Sequence, residues 1–478
     1  MNDAPRSDAI VVFGVTGDLV HKEIFPALQG LVRDEDVDVP IVGVARSPWS
    51  DEALIARAKD SLEKRGMFEP AAFAKLASRL RFVQGDYHAP ETFAKICEAL
   101  QGSKQPLFYM AIPPSVFPRV TQAIALSVCR EGARVVIEKP FGRDPVSAHE
   151  LNRVLHDHFS EDSIFRIDHF LGKEPVQNIT YTRFATNMLE PLWNRDYIRA
   201  IQITMAEDYG VFNRGRFYEE AGAIRDVIQN HLLQIVAVVT MDPPAGGDPD
   251  AYRREKDRLL KAMPPLTPAD VIRGQYRGYR EAEGVAPDST VETYAALRLS
   301  IDTWRWAGVP IYIRSGKYLA VTSTEVFVEF KAPPRQTFSE IVPRGSSHLR
   351  IRISPDIVIA MGLRVKVPGD RMVGRDVELL LTSHTGSQKS PYQRLLGDAM
   401  EGQHDLFATE AGVEASWGIV GPILGDATPL HTYEPGSWGP PEASGLIGSD
   451  GPWRDPIVEG REVDDRVAAF PSQQDPAG

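Results

Sequence analysis

The chain has 478 residues, more than one ordinary hydrophobic core accommodates, so we expect two domains. Its formal net charge of -12 argues against a nonspecific nucleic-acid-binding protein, which needs a basic surface. The sequence has no apolar run of the roughly 18 to 20 residues that a membrane span needs, and its first residues lack a secretory signal pattern. We therefore expect a cytoplasmic protein that binds neither nucleic acid nor membrane.

The sequence contains two cysteines, Cys97 and Cys129. Their spacing is not typical of a metal site, and we expect no metal. We interpret both as reduced thiols that pack as small apolar residues, as in proteins of a reducing compartment.

Strands alternate with helices over the first third of the chain. The β-branched run at 9–13 predicts a buried strand, and a glycine turn and a helical pattern follow it. Further strands are predicted at 40–46, 80–86, 106–112 and 133–142, and further helices at 51–65, 70–79, 90–100 and 115–131. This alternation is typical of an α/β domain with a doubly wound parallel sheet, which we expect over residues 1–170.

Strand-like segments dominate the rest of the chain. They lie at 198–208, 292–302, 309–317, 324–332, 348–356, 357–367 and 377–383, with helical patterns at 145–159, 222–241 and 391–402. Over 171–430 this pattern predicts an α+β domain with a large, mainly antiparallel sheet. Residues 431–478 are rich in Pro, Gly and Ser, and we expect an irregular or partly disordered tail there.

The segment FGVTGDL places Gly14 and Gly17 between the first strand and the first helix. Glycines let a backbone approach a pyrophosphate, and a helix N-terminus favours its negative charge, so the segment fits a dinucleotide site. The spacing differs from the common G-x-G-x-x-G, and a plain glycine-rich turn explains it equally well. Arg46, directly after the second strand, favours NADP because an arginine there accommodates the 2′-phosphate; NAD is not excluded.

The segment RIDHFLGKEP at 166–175 holds five ionisable residues, among them Asp168, His169 and Lys173. Apolar residues interleave with them, which indicates a half-buried segment rather than the solvated face that most charge runs form. Buried charges are costly unless they are paired. The segment therefore needs partners, either elsewhere in the chain or in a ligand.

The helical pattern at 222–241 carries a second group of polar residues. Asp226 and Asn230 lie four residues apart and share a face, and His231 lies beside the apolar stripe. A single histidine there is more often structural than catalytic. A histidine that acts as a general base needs a carboxylate partner, and Asp168 is a candidate, although spacing alone does not show a contact.

Six segments, in this order along the chain, resemble motifs of the glucose-6-phosphate dehydrogenase family: GVTGDLVHKEIFPAL, VIEKPFGRD, RIDHFLGKE, WNRDYI, GAIRDVIQNHLLQ and GVPIYIRSGKYL. The resemblance extends from about residue 9 to about residue 425. It implies a Rossmann-like domain followed by an α+β domain whose broad sheet assembles homodimers or homotetramers. It also implies oxidation of glucose 6-phosphate at C1 to a lactone, with hydride transfer to NADP, as the entry to the pentose phosphate pathway.

The resemblance implies roles for individual residues. His231 resembles the general base that takes the C1 hydroxyl proton, and Asp168 the carboxylate behind it; a neutral histidine with a pKa near ~6.5 accepts a proton at neutral pH. His169 and Lys173 resemble the residues that bind the sugar phosphate. The other substrate-binding candidates are Glu207, Asp226, Lys317 and Lys139, and the cofactor-binding candidates are Gly14, Thr16, Gly17, Asp18, Leu19, Arg46, Asp86, Tyr87 and Lys139.

Three positions depart from the family pattern. Glu23 stands where a lysine is usual, Phe170 where a tyrosine is usual, and Thr322 where a second lysine or arginine is usual. Lost charge-assisted hydrogen bonds are worth roughly 1.5 to 3 kcal/mol each and would weaken binding of the usual substrate. The alternatives are therefore the same chemistry on another hexose 6-phosphate, such as an amino sugar, or an NADP-binding paralogue without turnover.

Overall fold

The structure, a computed structural model, describes residues 5–100, 102–246, 250–338, 340, 342–381 and 389–457. The described residues form two large β-sheets, with helices packed against them. The expected order of a doubly wound domain followed by an α+β domain is confirmed. The domain boundaries at 170 and 430 stay a prediction.

The first sheet has seven strands. They are β1 (Ala9–Phe13), β2 (Ile41–Ala45), β3 (Leu80–Gln84), β4 (Pro106–Met110), β5 (Arg134–Glu138), β6 (Ile164–Ile167) and β15 (Phe407–Ala408). Their order is β15-β6-β5-β4-β1-β2-β3, and every pair is parallel except β15 with β6. The sequence predicts β1 to β5 and misses the two short strands at the far edge.

Both faces of the first sheet are buried along β1, β2, β4 and β5, which explains the apolar character of these strands, whereas the edge strand β3 is partly exposed. Val11 and Phe13 pack into one hydrophobic cluster, whereas Ile10 and Val12 pack into another on the opposite face. A π-helix, Val20–Ile24, follows the glycine turn. The α-helices that accompany this sheet are α1 (Phe25–Asp34), α2 (Asp51–Lys64), α3 (Pro70–Arg79), α4 (Pro90–Ala99), α5 (Phe117–Leu126) and α6 (Pro145–His156).

The second sheet has nine strands. They are β7 (Ile198–Ala206), β8 (Val271–Tyr276), β9 (Tyr294–Leu299), β10 (Ile311–Gly316), β11 (Ser323–Phe330), β12 (His348–Ser354), β13 (Val358–Lys366), β14 (Gly374–Leu381) and β16 (Leu430–Tyr433). Their order is β14-β13-β12-β11-β7-β10-β9-β8-β16. Only the β7–β10 and β8–β16 pairs are parallel, so the expectation of a mainly antiparallel sheet is confirmed.

A second π-helix, Ile224–Leu232, continues directly into a fully buried α-helix. Together they occupy most of the predicted helix at 222–241. The α-helices of this half are α7 (Glu174–Ala185), α8 (Gly215–Ala223), α9 (Leu233–Thr240), α10 (Ala251–Lys261), α11 (Pro391–Glu401), α12 (Glu410–Val420) and α13 (Ala443–Ile447). None of the helices in the described residues is long and apolar enough to cross a membrane.

The expectation of an irregular tail after residue 430 is wrong for the part that the structure describes. β16 extends the second sheet, and α13 follows it. The chain then runs across the sheet, where Arg314 forms an ion pair with Asp455 at 2.7 Å and lies 4.8 Å from the Trp453 ring centroid. Proline and glycine form the turns of this segment, and its tryptophan provides the packing. Residues 458–478 lie outside the described residues.

The interpretation of the cysteines as separate thiols is also wrong. Cys97 on α4 and Cys129 after α5 form a disulfide, with their Cα atoms 5.5 Å apart. The two positions are 32 residues apart in sequence, and the packing of α4 beside α5 brings them together. Spacing alone does not reveal such a pairing.

Candidate active site

Neighbouring strands bring the first candidate residues together. β5 and β6 are parallel, so Lys139 after β5 and Asp168 after β6 lie at the same edge of the sheet. The second π-helix adds Asp226 and His231, which contact these two residues. π-helical turns are rare and often occur at functional sites, because the wider turn redirects side chains.

Asp168 and His231 form a buried pair. Nδ1 of His231 lies 2.5 Å from Oδ1 of Asp168, and both side chains are almost inaccessible. Burial raises the pKa of Asp168, but the neighbouring His231 outweighs it, and the net shift is well downward. Burial lowers the pKa of His231, although Asp168 opposes this. At neutral pH the pair is therefore a carboxylate and a neutral imidazole, with the ring proton on Nδ1.

Lys139 contacts the other ring nitrogen of His231. Its Nζ lies 2.9 Å from Nε2 of His231, 2.7 Å from the carbonyl oxygen of Asp226 and 3.3 Å from the Asp226 carboxylate. Because an ammonium group only donates, this contact fits an unprotonated Nε2. The lone pair on Nε2 of His231 therefore faces the ammonium group of Lys139.

Phe170, His169 and Lys173 form a second cluster beside His231. The Phe170 ring stacks on His231 with centroids 4.4 Å apart, and the His169 ring meets His231 edge-on at 4.5 Å. Nζ of Lys173 lies 3.7 Å from the Phe170 centroid. Burial lowers the pKa of Lys173 to about 8, so it remains charged at neutral pH. Burial and His231 lower the pKa of His169 strongly, so His169 offers a neutral imidazole.

Two strands of the second sheet supply a further polar pair. β7 and β10 are parallel neighbours, and Glu207 and Lys317, which follow them, form an ion pair. Oε1 of Glu207 also accepts a hydrogen bond of 2.6 Å from Tyr209. Burial raises the pKa of Asp226, but Lys139 and then Lys317 outweigh it and lower the value. The carboxylate oxygens of Glu207 and Asp226 are hydrogen-bond acceptors that suit sugar hydroxyls.

The glycine turn has the geometry of a close backbone approach. Gly14 has φ = +74°, and a Cβ there would lie 2.2 Å from the carbonyl oxygen of Ala111. Its N–H donates to Oη of Tyr87 over 2.9 Å. Only glycine fits this position. Thr16 and Gly17 complete the turn, and Asp18 and Leu19 are the first helical residues, directly before the first π-helix.

The ends of β2 and β3 place three cofactor-binding candidates together. The guanidinium of Arg46 lies 3.5 Å from the Asp86 carboxylate and 5.9 Å from the Tyr87 ring centroid. Arg46 is 61% exposed, so its charge is available to a ligand. The predicted nucleotide residues therefore cluster at the carboxyl edge of the sheet, as a dinucleotide site requires.

Glu23 and Thr322, two of the three residues that differ from the family pattern, form hydrogen bonds within the chain. Glu23 accepts a hydrogen bond of 2.9 Å from Arg65, and both side chains are 37% exposed. Thr322 accepts a hydrogen bond of 3.0 Å from the backbone N–H of Asp208 and donates one of 2.5 Å to the Asp208 carboxylate. Phe170 is buried against His231, as described above. Each substitution therefore has a structural partner within the chain.

Family models match nearly the whole chain. Residues 11–178 match the NAD binding domain of glucose-6-phosphate dehydrogenase, and residues 180–454 match its C-terminal domain. The chain belongs to the glucose-6-phosphate dehydrogenase family. Glucose-6-phosphate 1-dehydrogenase 1 of Mycobacterium tuberculosis is 42% identical over 94% of this chain and 97% of its own length. The cytoplasmic glucose-6-phosphate 1-dehydrogenase 6 of Arabidopsis thaliana is 37% identical over 92% and 90%.

Solved structures of the glucose-6-phosphate dehydrogenase family have the same fold. The Mycobacterium avium glucose-6-phosphate 1-dehydrogenase superposes with a TM-score of 0.89 at 43% identity, covering 95% of this chain and 99% of its own. A glucose-6-phosphate dehydrogenase in complex with its substrate glucose 6-phosphate superposes with a TM-score of 0.88 at 33% identity, covering 96% and 100%.

Sequence reasoning missed a buried acid in this family member. Glu138, directly before Lys139, accepts a hydrogen bond from the hydroxyl of Tyr109 on β4, and Tyr392 on α11 also donates to it. Burial raises its pKa to about 7, although the tyrosines and Lys139 oppose this. An acidic residue at the end of the apolar run RVVIE is the sequence signal that could have indicated it.

Proposed function

We propose that this chain oxidises D-glucose 6-phosphate at C1 to 6-phospho-glucono-1,5-lactone with NADP. The contacts from Asp168 through His231 to Lys139 are the observation that carries the proposal. They hold a neutral imidazole with its lone pair on Nε2, which is the state that a general base needs. Membership of the family and the similarity to a substrate complex support the choice of sugar.

His231 acts on the hydroxyl proton. Its Nε2 accepts the proton of the C1 hydroxyl, and the ring becomes an imidazolium. The Asp168 carboxylate then stabilises this charge through the Nδ1–H hydrogen bond, and it keeps the ring in the productive tautomer. Lys139 leaves Nε2 when the hydroxyl approaches, and its contacts with Asp226 keep it nearby.

His169 and Lys173 hold the 6-phosphate. Lys173 supplies a positive charge, and the neutral imidazole of His169 donates a hydrogen bond. The phosphate is therefore bound by one cation and one neutral donor. Glu207, Asp226, Lys139 and Lys317 bind the sugar hydroxyls as acceptors and donors. This division leaves Asp168 to its role behind His231.

The residues at the first sheet fit NADP. Gly14 gives the backbone the close approach that a pyrophosphate needs, Thr16 and Gly17 complete the turn, and Asp18 and Leu19 begin the helix after it. Arg46, with Asp86 and Tyr87 beside it, suits a 2′-phosphate. NADP supplies the hydride acceptor of the reaction. NAD is the alternative cofactor, because the exposed Arg46 does not exclude it.

The departures from the family pattern do not favour another sugar. The charge of Glu23 is paired with Arg65, and Thr322 is engaged with Asp208. Three groups that act on the phosphate and on C1, His169, Lys173 and His231, remain together. An amino or epimeric hexose 6-phosphate therefore serves as a comparison in the assay rather than as the expected substrate.

The second sheet offers a surface for a second copy of the chain. β14 is its edge strand, and apolar side chains on β13, β14 and the turn between them are exposed: Leu363, Val365, Val367, Met372, Val373, Leu379 and Leu380. Exposed apolar patches of this kind usually mark interaction sites. We assign this patch to a homodimer or homotetramer contact.

Replacement of the base tests the proposal. His231→Asn removes the proton acceptor while leaving the nucleotide site untouched, so turnover should fall by roughly 10² to 10⁴ or more. NADP affinity, measured by fluorescence titration, should stay as in the parent. His149→Asn, an exposed histidine on α6, is the matched control and should keep full activity. Activity of His231→Asn within tenfold of the parent would remove His231 from this role.

A further inference from the structure

Several buried polar atoms have no hydrogen-bond partner within the described part of the chain. Four of them belong to Asp168 and to helices near it: Oδ2 of Asp168, Nζ of Lys256, Nε2 of Gln177 and Oε1 of Gln234. Two are donors and two are acceptors, so the set is complementary. Buried polar groups rarely stay unsatisfied in native proteins, and water is the usual partner where the protein provides none.

His231 connects Gln234 with Asp168, because it lies about one helical turn before Gln234 and is hydrogen-bonded to Asp168. Gln234 follows His231 by three residues in the continuous π-to-α helix and lies on the same side of it. His231 holds Oδ1 of Asp168, which also accepts a hydrogen bond of 3.0 Å from the backbone N–H of Phe170. The other oxygen, Oδ2, is therefore the part of the carboxylate that still needs a donor.

Gln177 and Lys256 are connected through Tyr252. On α7, Gln177 lies one turn before Thr180, whose hydroxyl is 3.0 Å from Oη of Tyr252. On α10, Tyr252 lies one turn before Lys256, and Nζ of Lys256 is 5.1 Å from the tyrosine ring centroid. Because α7 and α10 both pack on α9, their polar side chains meet beside the helix that carries Gln234.

Lys256 is a buried ammonium under the influence of Asp168. It is 3% exposed, and burial lowers its pKa to about 8, opposed first by the carboxylate of Asp257 and then by that of Asp168. Asp257 is already engaged, because its Oδ1 accepts a hydrogen bond of 2.6 Å from Thr409 at the start of α12. Lys256 therefore keeps its charge at neutral pH, and Oδ2 of Asp168 is a buried carboxylate oxygen that has no donor among the described residues.

We propose that Lys256 is a positioning residue, whose ammonium, through buried water shared with Gln177 and Gln234, holds Oδ2 of Asp168 and so orients the carboxylate toward His231. The inference rests on the proposed role of the Asp168–His231 pair. A lysine offers three donors and no acceptor, and a buried water typically makes about three hydrogen bonds, so two donors and two acceptors fit one such cluster. Without it, Asp168 has a buried oxygen with no donor.

The pH dependence expected for the Asp168–His231 pair depends on the charged groups around Lys256 and Asp168. The groups acting on Lys256 and Asp168 are Arg253 and Asp257 on α10, Asp405 before β15, His169 and Lys139 at the sheet edge, and His231. The acids of α12, Glu410 and Glu414, are paired with His156 and His149. An ammonium near the pair favours the ionised Asp168 and disfavours the imidazolium. Its removal should therefore raise the pKa of both groups.

Lys256→Met tests the inference in the full-length enzyme. Because a hydrogen bond to a charged group is worth about a factor of ten or more, kcat should fall about tenfold. KM for glucose 6-phosphate should stay unchanged, and the acid limb of the kcat/KM profile should move to higher pH. Lys261→Met, which changes an exposed lysine on the same helix, should leave kcat, KM and the acid limb unchanged. Leu260→Ala, which creates a cavity on the buried face of α10, should lower stability without moving the acid limb.

Gln234→Leu gives a second variant that removes an acceptor but no charge, so it should lower kcat without moving the acid limb as far as Lys256→Met does. A high-resolution crystal structure of the parent should show ordered water within hydrogen-bond distance of both Nζ of Lys256 and Oδ2 of Asp168. A parental pH profile and kcat in Lys256→Met, or the same shift in Leu260→Ala, would overturn the inference. Asp168→Asn, measured in parallel, distinguishes a failure of this inference from a failure of the proposed Asp168–His231 pair. An active Asp168→Asn refutes the pair itself.

Discussion

Nε2 of His231 is the atom on which the proposed proton transfer depends. Its basicity results from opposing influences, because burial and Lys139 lower the pKa of the ring while Asp168 raises it. The net shift is downward from the usual value near ~6.5, so the free base predominates at neutral pH. Substitution of Asp168 or of Lys139 should therefore shift the pKa of His231 in opposite directions.

Asp168→Asn should lower both the rate and the pH at which activity is lost. Without the carboxylate the imidazole loses its productive tautomer, and the rate should fall by about a thousandfold or more. Because Asp168 raises the pKa of His231, its removal should move the acid limb of kcat/KM to lower pH. Initial rates across a pH series measure both effects; a profile with the parental height and shape would contradict the pair.

Arg46→Ala should impair the use of NADP much more than the use of NAD. Only NADP carries the 2′-phosphate that the exposed guanidinium can bind. The comparison is the ratio of KM values for the two cofactors in the variant and in the parent. Arg81→Ala, an exposed arginine on β3 of the same sheet, should leave that ratio unchanged. Equal effects of Arg46→Ala on both cofactors would assign Arg46 to the adenine or to the fold.

At the scale of elements, the glycine turn and the second π-helix position the two halves of the site. Strands β1 to β5 could be predicted to within two residues, except at the end of β5, and the apolar runs of β1, β2, β4 and β5 are buried on both faces. α10 was missed, because its sequence AYRREKDRLLK is dominated by charges even though its buried face includes Lys256. Propensity and pattern do not show which charged residues a fold buries.

The Asp168–His231 contact could be suspected from the sequence, but residue spacing cannot establish it. The residues lie 63 positions apart, and their contact depends on how the π-helix packs over the end of β6. A local pattern also cannot reveal the water-linked cluster around Lys256 or the Glu138–Tyr109 contact, since their members come from different elements. The resemblance to family motifs supplied those residue roles that periodicity could not.

Gly14→Ala should abolish cofactor binding and destabilise the first sheet. The new Cβ would lie 2.2 Å from a backbone oxygen and require φ = +74°, and a left-handed conformation alone costs roughly 1 to 2 kcal/mol. Gly66→Ala is the matched control, because Gly66 has φ = +66° and a Cβ there would have no atom within 4 Å. Thermal unfolding and NADP titration should show a small stability loss for Gly66→Ala and a larger one, with lost binding, for Gly14→Ala. Equal behaviour of the two variants would refute the close approach.

At the scale of the whole molecule, the first sheet carries the proposed cofactor residues, and the second sheet carries proposed sugar-binding residues and an exposed apolar surface. The proposed site residues come from both, since Asp168 and Lys139 follow strands of the first sheet and Glu207 and Lys317 follow strands of the second. The same second sheet ends in β14, far from those residues in strand order. Assembly and catalysis are therefore predicted to be separable by mutation.

Leu379→Arg with Leu380→Arg should convert the assembled enzyme to monomers. Both side chains are more than half exposed on the edge strand, so the change should cost the free protein little while placing charges in the proposed contact. Light scattering after size-exclusion chromatography gives the mass, and Leu126→Arg, an exposed leucine on α5, is the control. An unchanged oligomer in the double variant, or a parent that is already monomeric, would contradict this assignment.

The specificity constants of the parent enzyme for several sugar phosphates show whether glucose 6-phosphate is its substrate. NADPH formation is followed by absorbance with glucose 6-phosphate and with amino and epimeric hexose 6-phosphates at matched concentrations. Glucose 6-phosphate with NADP should give the highest kcat/KM, at ~10⁴ M⁻¹s⁻¹ or above. A higher constant for another hexose 6-phosphate would contradict the assigned sugar, and no NADPH formation with any of them would contradict the assigned reaction.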